Sequence, residues 1–179
     1  MIVTVVGHPF AGKRTLSASL TKVTSMRVVD AGEVSALIHR SSSEAAHRAR
    51  SLVEAGALLP DDLFGKLLAE LVGGVDTILV GRPRSLGEME AFERDSRCTP
   101  LIIHLEASPA LVSARMTARG LPPPEPEHPG AFERLTLMLE PVLRRASLSG
   151  TLLSLDAALP VAELVGPARE FVEARRYDG

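Results

Sequence analysis

The stretch Ile2-Val3-Thr4-Val5-Val6-Gly7-His8-Pro9-Phe10-Ala11-Gly12-Lys13-Arg14-Thr15 decides how the rest of the chain is read. Its first five residues are β-branched and mostly apolar, and they read as a buried strand. Gly7 to Lys13 then fit G-x-x-x-x-G-K, the spacing of a phosphate-cradling loop when a helix follows. Gly7 and Gly12 let the backbone close tightly round a polyphosphate with its N–H groups inward. The next helix adds the partial positive charge of its N-terminus, and Lys13 reaches the outer phosphates. Ser or Thr usually follows that lysine directly; here Arg14 stands between Lys13 and Thr15.

At 179 residues the chain suits one domain with a sizeable core. Apolar residues make up 45% and aromatic residues 3%, so the core is expected to be Leu, Val, Ile and Ala. A net charge of −2 implies no general attraction to nucleic acid or to an anionic membrane. No apolar stretch approaches a membrane span, and no basic region precedes the first apolar run as in a signal peptide. Cys98 is the one cysteine, so no internal disulfide can form, and a reducing cytoplasm is the expected setting.

Outward from the loop, residues 13–22 read as its closing helix and 26–29 as a short strand. Asp30-Ala31-Gly32-Glu33 is a turn that caps a helix through about Arg40. Ser41-Ser42-Ser43-Glu44 starts a second helix, with small or apolar residues at 45, 46, 49, 52, 53 and 56, ending near Gly56. Asp61-Asp62 open a third, which Gly73-Gly74 stop. Residues 75–80 read as a strand ending in the turn Gly81-Arg82-Pro83-Arg84, and 85–94 as a short helix. Leu101 to Leu105 is a strand; Ser108-Pro109 cap a helix to about Arg119, which Gly120 stops. Residues 121–130 hold five prolines and should be extended. A helix over 131–148, a strand over 152–155 and a final helix over 160–176 complete the chain. Alternating strands and helices argue for an α/β domain whose parallel sheet is covered on both faces. A ligand then sits at the carboxyl ends of the strands.

The order of these pieces resembles the adenylate kinase family of nucleoside monophosphate kinases over nearly the whole chain. Gly7 to Thr15, with Pro9, looks like the family's G-x-P-G-x-G-K-G-T. Asp30-Ala31-Gly32-Glu33 stands where the family has S-T-G-D. Glu54-Ala55-Gly56-Ala57-Leu58-Leu59-Pro60-Asp61-Asp62-Leu63 resembles D-A-G-x-L-V-x-D-E-L. Gly81-Arg82-Pro83-Arg84 matches G-F-P-R; Arg115 and Arg119 match the D-R-x-x-x-R pair. Glu133-Arg134-Leu135 matches K-R-L, and Glu140-Pro141-Val142 matches T-E-P-V-I. The resemblance implies a P-loop three-layer α/β/α fold with a five-stranded parallel sheet. It implies a single domain over 1–179, with a helical monophosphate-binding insertion over 31–73 and a short proline-rich lid over 120–131.

The implied activity is phosphoryl transfer from ATP, with Mg²⁺, to a nucleoside monophosphate, AMP being the first candidate. Such a transfer needs cations round the moving group and two nucleotides held in line. The loop residues Gly7, Pro9, Ala11, Gly12, Lys13, Arg14 and Thr15 would bind ATP. Arg84 would hold the acceptor's phosphate, and Arg115, Arg119 and Arg134 would spread charge over the phosphoryl group. Arg115 and Arg119, spaced i and i+4, share one helix face. Ala31, Gly32, Leu58, Leu59, Gly81, Arg84 and Glu88 would line the acceptor site, and Glu33 would reach the metal through water.

Several positions depart from the family. Its Asp before G-F-P-R is Val80, its first acceptor-gripping Arg is Ala36, and its adenine-reading Gln is Glu88. Phe10 and Arg14 replace two loop glycines, and the lid's R-x-D-D is Pro123-Pro124-Glu125-Pro126. Each lost charged contact costs on the order of 10²-fold in rate. Two readings therefore stand: a kinase, or a degenerate member that binds nucleotide and serves as a regulatory or interaction subunit. A small-molecule kinase on the same fold is a third, against which the 41–72 helices speak. No protein partner is named by the sequence. His8 is expected to be exposed, His104 packed, and His39, His47 and His128 lack metal spacing. The Arg144-Arg145 and Arg175-Arg176 pairs read as solvated.

Overall fold

A computed structural model describes residues 1–122 and 130–176 of the chain. The loop strand becomes β1 (Ile2–Gly7), followed by α1 (Lys13–Thr24) and β2 (Arg27–Val29). Three helices then intervene, α2 (Ala31–Arg40), α3 (Glu44–Glu54) and α4 (Asp61–Val72), before β3 (Thr77–Val80). The chain continues through α5 (Leu86–Ser96), β4 (Leu101–Glu106), α6 (Pro109–Thr117), α7 (Ala131–Leu148), β5 (Leu152–Asp156) and α8 (Val161–Ala174). The five strands form one parallel sheet in the order β2-β3-β1-β4-β5. This is the α/β fold with the five-stranded sheet that the alternating pattern predicts.

β1 is central and buried along its whole length, and its period-two alternation divides the core. Val3 and Val5 pack with Leu16 and Leu20 of α1 and Leu164, Ala168 and Val172 of α8. On the other face Ile2 joins Leu79, Phe92 and the apolar faces of α2, α3 and α4, while Val6 and Ile102 meet Leu139 and Ala146 of α7. Aliphatic residues fill both layers, with Phe92 the one aromatic among the largest fully buried side chains.

The helix starts follow local chemistry. Asp30, Ser43, Ser85 and Ser108 each cap a helix by accepting a backbone N–H with the side chain. Boundaries shift slightly from the sequence expectation. β3 begins at Thr77, because the Thr77 backbone N–H donates to the Met1 carbonyl and register with β1 starts there. α6 ends at Thr117, so Arg119 lies in the following turn and does not share a helix face with Arg115. Residues 123–129, which carry most of the expected proline-rich lid and His128, lie outside the described residues. Of the two arginine pairs expected to be solvated, Arg144 is exposed as read, while Arg145, Arg175 and Arg176 make structural contacts. Arg145 bridges α7 to Glu90 and Glu93 of α5. Arg175 donates to the Gly150 carbonyl, and Arg176 pairs with Asp76. His104 is packed, as read from its strand position.

α4 and α5 pack closely at Gly65 of α4, where a Cβ would lie 2.6 Å from Ala91 Cβ and 2.7 Å from the Glu88 carbonyl. The backbone there cannot yield without separating α4 from α5. Gly65→Ala is expected to destabilise the fold by about 1–3 kcal/mol, read as a lower urea midpoint. An unchanged midpoint would contradict this packing.

Candidate functional site

The turns leaving β1, β2, β3 and β5 gather at the carboxyl edge of the sheet, where open α/β sheets place their ligands. β1 leaves the sheet at Gly7, with φ 135°. A Cβ at Gly7 would lie 2.5 Å from the Leu105 carbonyl oxygen of the neighbouring strand, so no side chain is possible there. Gly12, with φ 102°, ends the loop and caps α1 without a side-chain bond. Phe10 adopts φ 63°, the left-handed region that non-glycine residues rarely occupy. Its conformation is held from α6. Arg115 Nη1 donates to the carbonyls of Phe10 (3.2 Å) and Ala11 (2.9 Å), and Nη2 donates to Ala157 (2.7 Å). The Arg119 guanidinium lies 5.4 Å from the Phe10 ring centroid. The two arginines thus meet at the loop tip, one through its carbonyl and the other through its ring.

Lys13, the first residue of α1, turns back into the loop. Its Nζ donates to the carbonyls of Gly7 (2.9 Å) and His8 (2.6 Å). Burial, then the charges of Arg84 and Arg14, push its pKa down to about 8. Gly81 lies against it, since a Cβ there would be 3.4 Å from Lys13 Cε. Lys13, Arg84 and Arg14 therefore form one cationic cluster across the carboxyl ends of β1 and β3. Arg14 is largely exposed and pairs with Asp30 at 2.9 Å. Asp30 in turn accepts the Gly32 N–H, so the loop and the start of α2 are tied together. Arg84 is exposed, and its Nε donates to the Gly81 carbonyl. Arg134 is exposed in the first turn of α7; that turn meets the loop through Phe132 and Thr136.

His8 is a correction to the sequence reading. It is 6% exposed, stacked parallel on Phe132 with centroids 3.5 Å apart, and 3.0 Å from Thr136 Oγ1. The loop backbone is shared between sheet and helix, and α7 closes over the imidazole. A loop position adjoining a proline gave no sign of this. A single aromatic at 132, in a chain with few, was the available signal.

Glu88, expected to line the acceptor site, is 1% exposed and its carboxylate is engaged. It pairs with Arg82 at 3.1 Å and accepts the Arg84 backbone N–H at 3.0 Å. Burial raises its pKa, and Arg82 acts in the opposite sense. Arg82 also lies 3.9 Å above the Phe64 ring. The sequence signal was the Ser85-x-x-Glu88 capping pattern, in which Ser85 accepts the Glu88 N–H. Of the remaining predicted positions, Ala31 opens α2 with Gly32 beside it, Glu33 is exposed in its first turn, Leu58 is 93% exposed and Leu59 is half-buried. Pro9 and Thr15 are exposed, and Ala11 is buried.

A cleft of about 440 Å³ opens beside the loop. One wall is Phe10, Gly12 and Thr15; the other is the turn from Ala157 to Val161. Arg115 bridges the two walls. This second wall escaped the sequence reading, although Asp156 followed by Pro160 marks a turn, and Asp156 Oδ1 does accept the Ala158 N–H. Among the described residues no three of His, Cys, Asp and Glu gather as metal ligands. Glu33, the one residue the resemblance implies would reach a metal through water, is exposed in the first turn of α2, and Thr15 is exposed in the first turn of α1. Arg115→Ala is expected to lower stability by about 1–3 kcal/mol, because three carbonyls lose their donor. Arg115→Lys should recover only part, since an ammonium lacks the planar fork. Equal urea midpoints for all three chains would contradict the clamp.

No protein-family model matches the chain. Curated relatives do. The adenylate kinase of Pseudothermotoga lettingae is 28% identical over 131 residues, covering 69% of this chain and 60% of that protein. The adenylate kinase of Rickettsia bellii is 29% identical over 123 residues, 66% of this chain and 58% of the relative. The chain thus spans less than two thirds of the length of both. The adenylate kinase of Mycobacterium leprae is 30% identical over 128 residues, 67% of this chain and 71% of the relative. With that likeness, the parallel five-stranded sheet and the glycine-bounded loop at the end of its central strand, the chain belongs to the adenylate kinase family.

Proposed function

We propose that the chain transfers the γ-phosphoryl group of ATP to a nucleoside monophosphate, with AMP as the first acceptor to test. The observation that carries this reading is the cationic cluster of Lys13 and Arg84 facing across Gly81, beside a cleft sized for a nucleoside. In the reaction an oxygen of the acceptor phosphate attacks the γ-phosphorus. The bond from that phosphorus to the β-bridging oxygen breaks, and two nucleoside diphosphates leave. Bound to ATP, magnesium supplies charge neutralisation at the phosphates. Lys13 exchanges its two carbonyl partners for phosphate oxygens, and the loop N–H groups and the start of α1 orient the polyphosphate. Arg84 holds the acceptor phosphate. Arg119, and Arg134 from α7, supply charge to the moving group. Arg115 acts on the loop carbonyls it already holds.

A second reading is nucleotide binding without efficient turnover, in a regulatory or interaction role. It is favoured by Val80, an apolar, 8% exposed residue at the end of β3 where the family resemblance implies a carboxylate. It is also favoured by Glu88, whose carboxylate is spent on Arg82 and a backbone N–H.

The test is ADP formation from ATP and Mg²⁺ with each common monophosphate in turn. Lys13-dependent ADP is expected, with Lys13→Ala slower by at least about 10²-fold. Val80→Asp is expected to raise the rate. ATP binding with no Lys13-dependent ADP from any acceptor would replace the kinase with the second reading.

A further inference from the structure

His8 belongs to the loop by sequence but to α7 by its side chain. The imidazole lies parallel to the Phe132 ring within 1°, at 3.5 Å between centroids, and Nε2 is 3.0 Å from Thr136 Oγ1. Phe132 and Thr136 are one helical turn apart and present a single face to it. Thr136 Oγ1 also donates to the Phe132 carbonyl at 3.1 Å. A hydroxyl has one proton. With that proton committed to Phe132, hydrogen-bond counting assigns the hydrogen of His8 to Nε2, which donates to Thr136. Nδ1 is then bare, and it is buried without a partner among the described residues. A proton added at Nδ1 would become a buried N–H cation with no acceptor, a costly arrangement.

The charges around the ring act the same way on balance. His104 of β4 and Lys13 of α1 oppose protonation, Glu133 of α7 favours it, and burial opposes it most. The same residue's carbonyl is the shorter of the two that hold Lys13 Nζ, at 2.6 Å. One residue therefore links α7, by its side chain, to the loop lysine, by its main chain.

We propose that His8 is a positioning residue: its neutral imidazole, stacked on Phe132 and bonded to Thr136, seats the phosphate loop on α7 and fixes the carbonyl that holds Lys13. The proposal rests on the polyphosphate reading of the loop. Its consequence is that nucleotide binding depends on His8 remaining uncharged. The link is made by shape and by one hydrogen bond, so a phenyl ring at position 8 keeps the stack and removes the proton.

Two measurements test it. The first is NMR titration of the His8 ring in the free protein. Its midpoint is expected below the ordinary histidine value in the unsubstituted chain, and closer to it in Phe132→Ala. The second is ATP affinity of the unsubstituted chain, His8→Phe and His8→Ala at about pH 7.5 and about pH 5.5, bracketing the histidine range. His8→Ala is expected to bind ATP about tenfold more weakly at the higher pH, the loss of one well-stacked ring pair. His8→Phe, which keeps the stack and loses only the Thr136 bond, should bind ATP more tightly than His8→Ala there and lose distinctly less affinity on acidification than the unsubstituted chain. The nucleotide's own protonation acts on every chain alike. The proposal is overturned by undiminished ATP affinity in His8→Ala, by an equal acid loss in His8→Phe, or by a His8 midpoint indifferent to Phe132→Ala. If His8→Ala does not fold, the other two variants still decide it. No ATP binding by the unsubstituted chain would overturn the polyphosphate reading itself, and this proposal with it. The ring titration, which needs no nucleotide, separates that result from failure of the His8–Phe132 link alone.

Discussion

Everything at the carboxyl edge of the sheet depends on the absence of one atom, the Cβ of Gly7. With a side chain there, the last residue of β1 would collide with the Leu105 carbonyl at 2.5 Å, and β1 and β4 could not stay paired to their ends. Because the glycine permits both the close approach and φ 135°, the chain turns out of the centre of the sheet and enters α1 within five residues. That turn brings the ammonium of Lys13 back onto the carbonyls of Gly7 and His8. It also puts the start of α1 next to the turn after β3, which carries Gly81 and Arg84.

The loop is unusual in how it is held. Glycines let such a loop take its shape freely, whereas here Phe10 and Arg14 stand where the family resemblance expects glycine, and side chains impose the shape instead. Arg115 from α6 and Arg119 from the turn after it hold Phe10, Asp30 holds Arg14 from the turn after β2, and Phe132 and Thr136 hold His8 from α7. The conformational strain of a non-glycine residue at positive φ is offset by these contacts. The arrangement is pre-organised for an anion but electrostatically uncomfortable without one. Lys13, Arg84 and Arg14 repel one another in a partly buried setting, and the depressed pKa of Lys13 records that repulsion together with its burial. A polyphosphate beside the cluster would offset the repulsion with its own charge.

The sheet, its helical layers and the loop were legible in the sequence because each rests on a short-range rule. β-Branched runs make strands, and Asp or Ser followed by helix formers makes caps. Two glycines five apart before a lysine make the turn. Asp30, Ser43 and Ser108 cap as read, and Ser85 caps the helix read from it. What escaped were contacts between side chains far apart in sequence. The His8–Phe132 stack spans the whole central part of the chain, and the three carbonyls on Arg115 come from two distant turns. Glu88 reads on its own as a polar residue near the start of a helix. Only packing of α4 against α5 shows it buried between Arg82 and the backbone. The local Ser85-x-x-Glu88 pattern marks a helix start, but no local pattern names the distant partners, since periodicity says which face of a helix is apolar and nothing about which residue it will meet.

The central claim is that Lys13 waits on loop carbonyls and moves to phosphate when a polyphosphate arrives. Calorimetric titration with MgATP in buffers of different ionisation enthalpy measures it directly, by counting protons taken up on binding. The free lysine titrates at about 8, and an anion beside it raises that value, so the bound form holds a proton that the free form lacks above this pH. Binding should take up most of one proton at about pH 8.5 and far less at about pH 7, and Lys13→Arg should abolish the difference. ATP binding with no uptake at the higher pH, or with the same uptake in Lys13→Arg, would contradict the account.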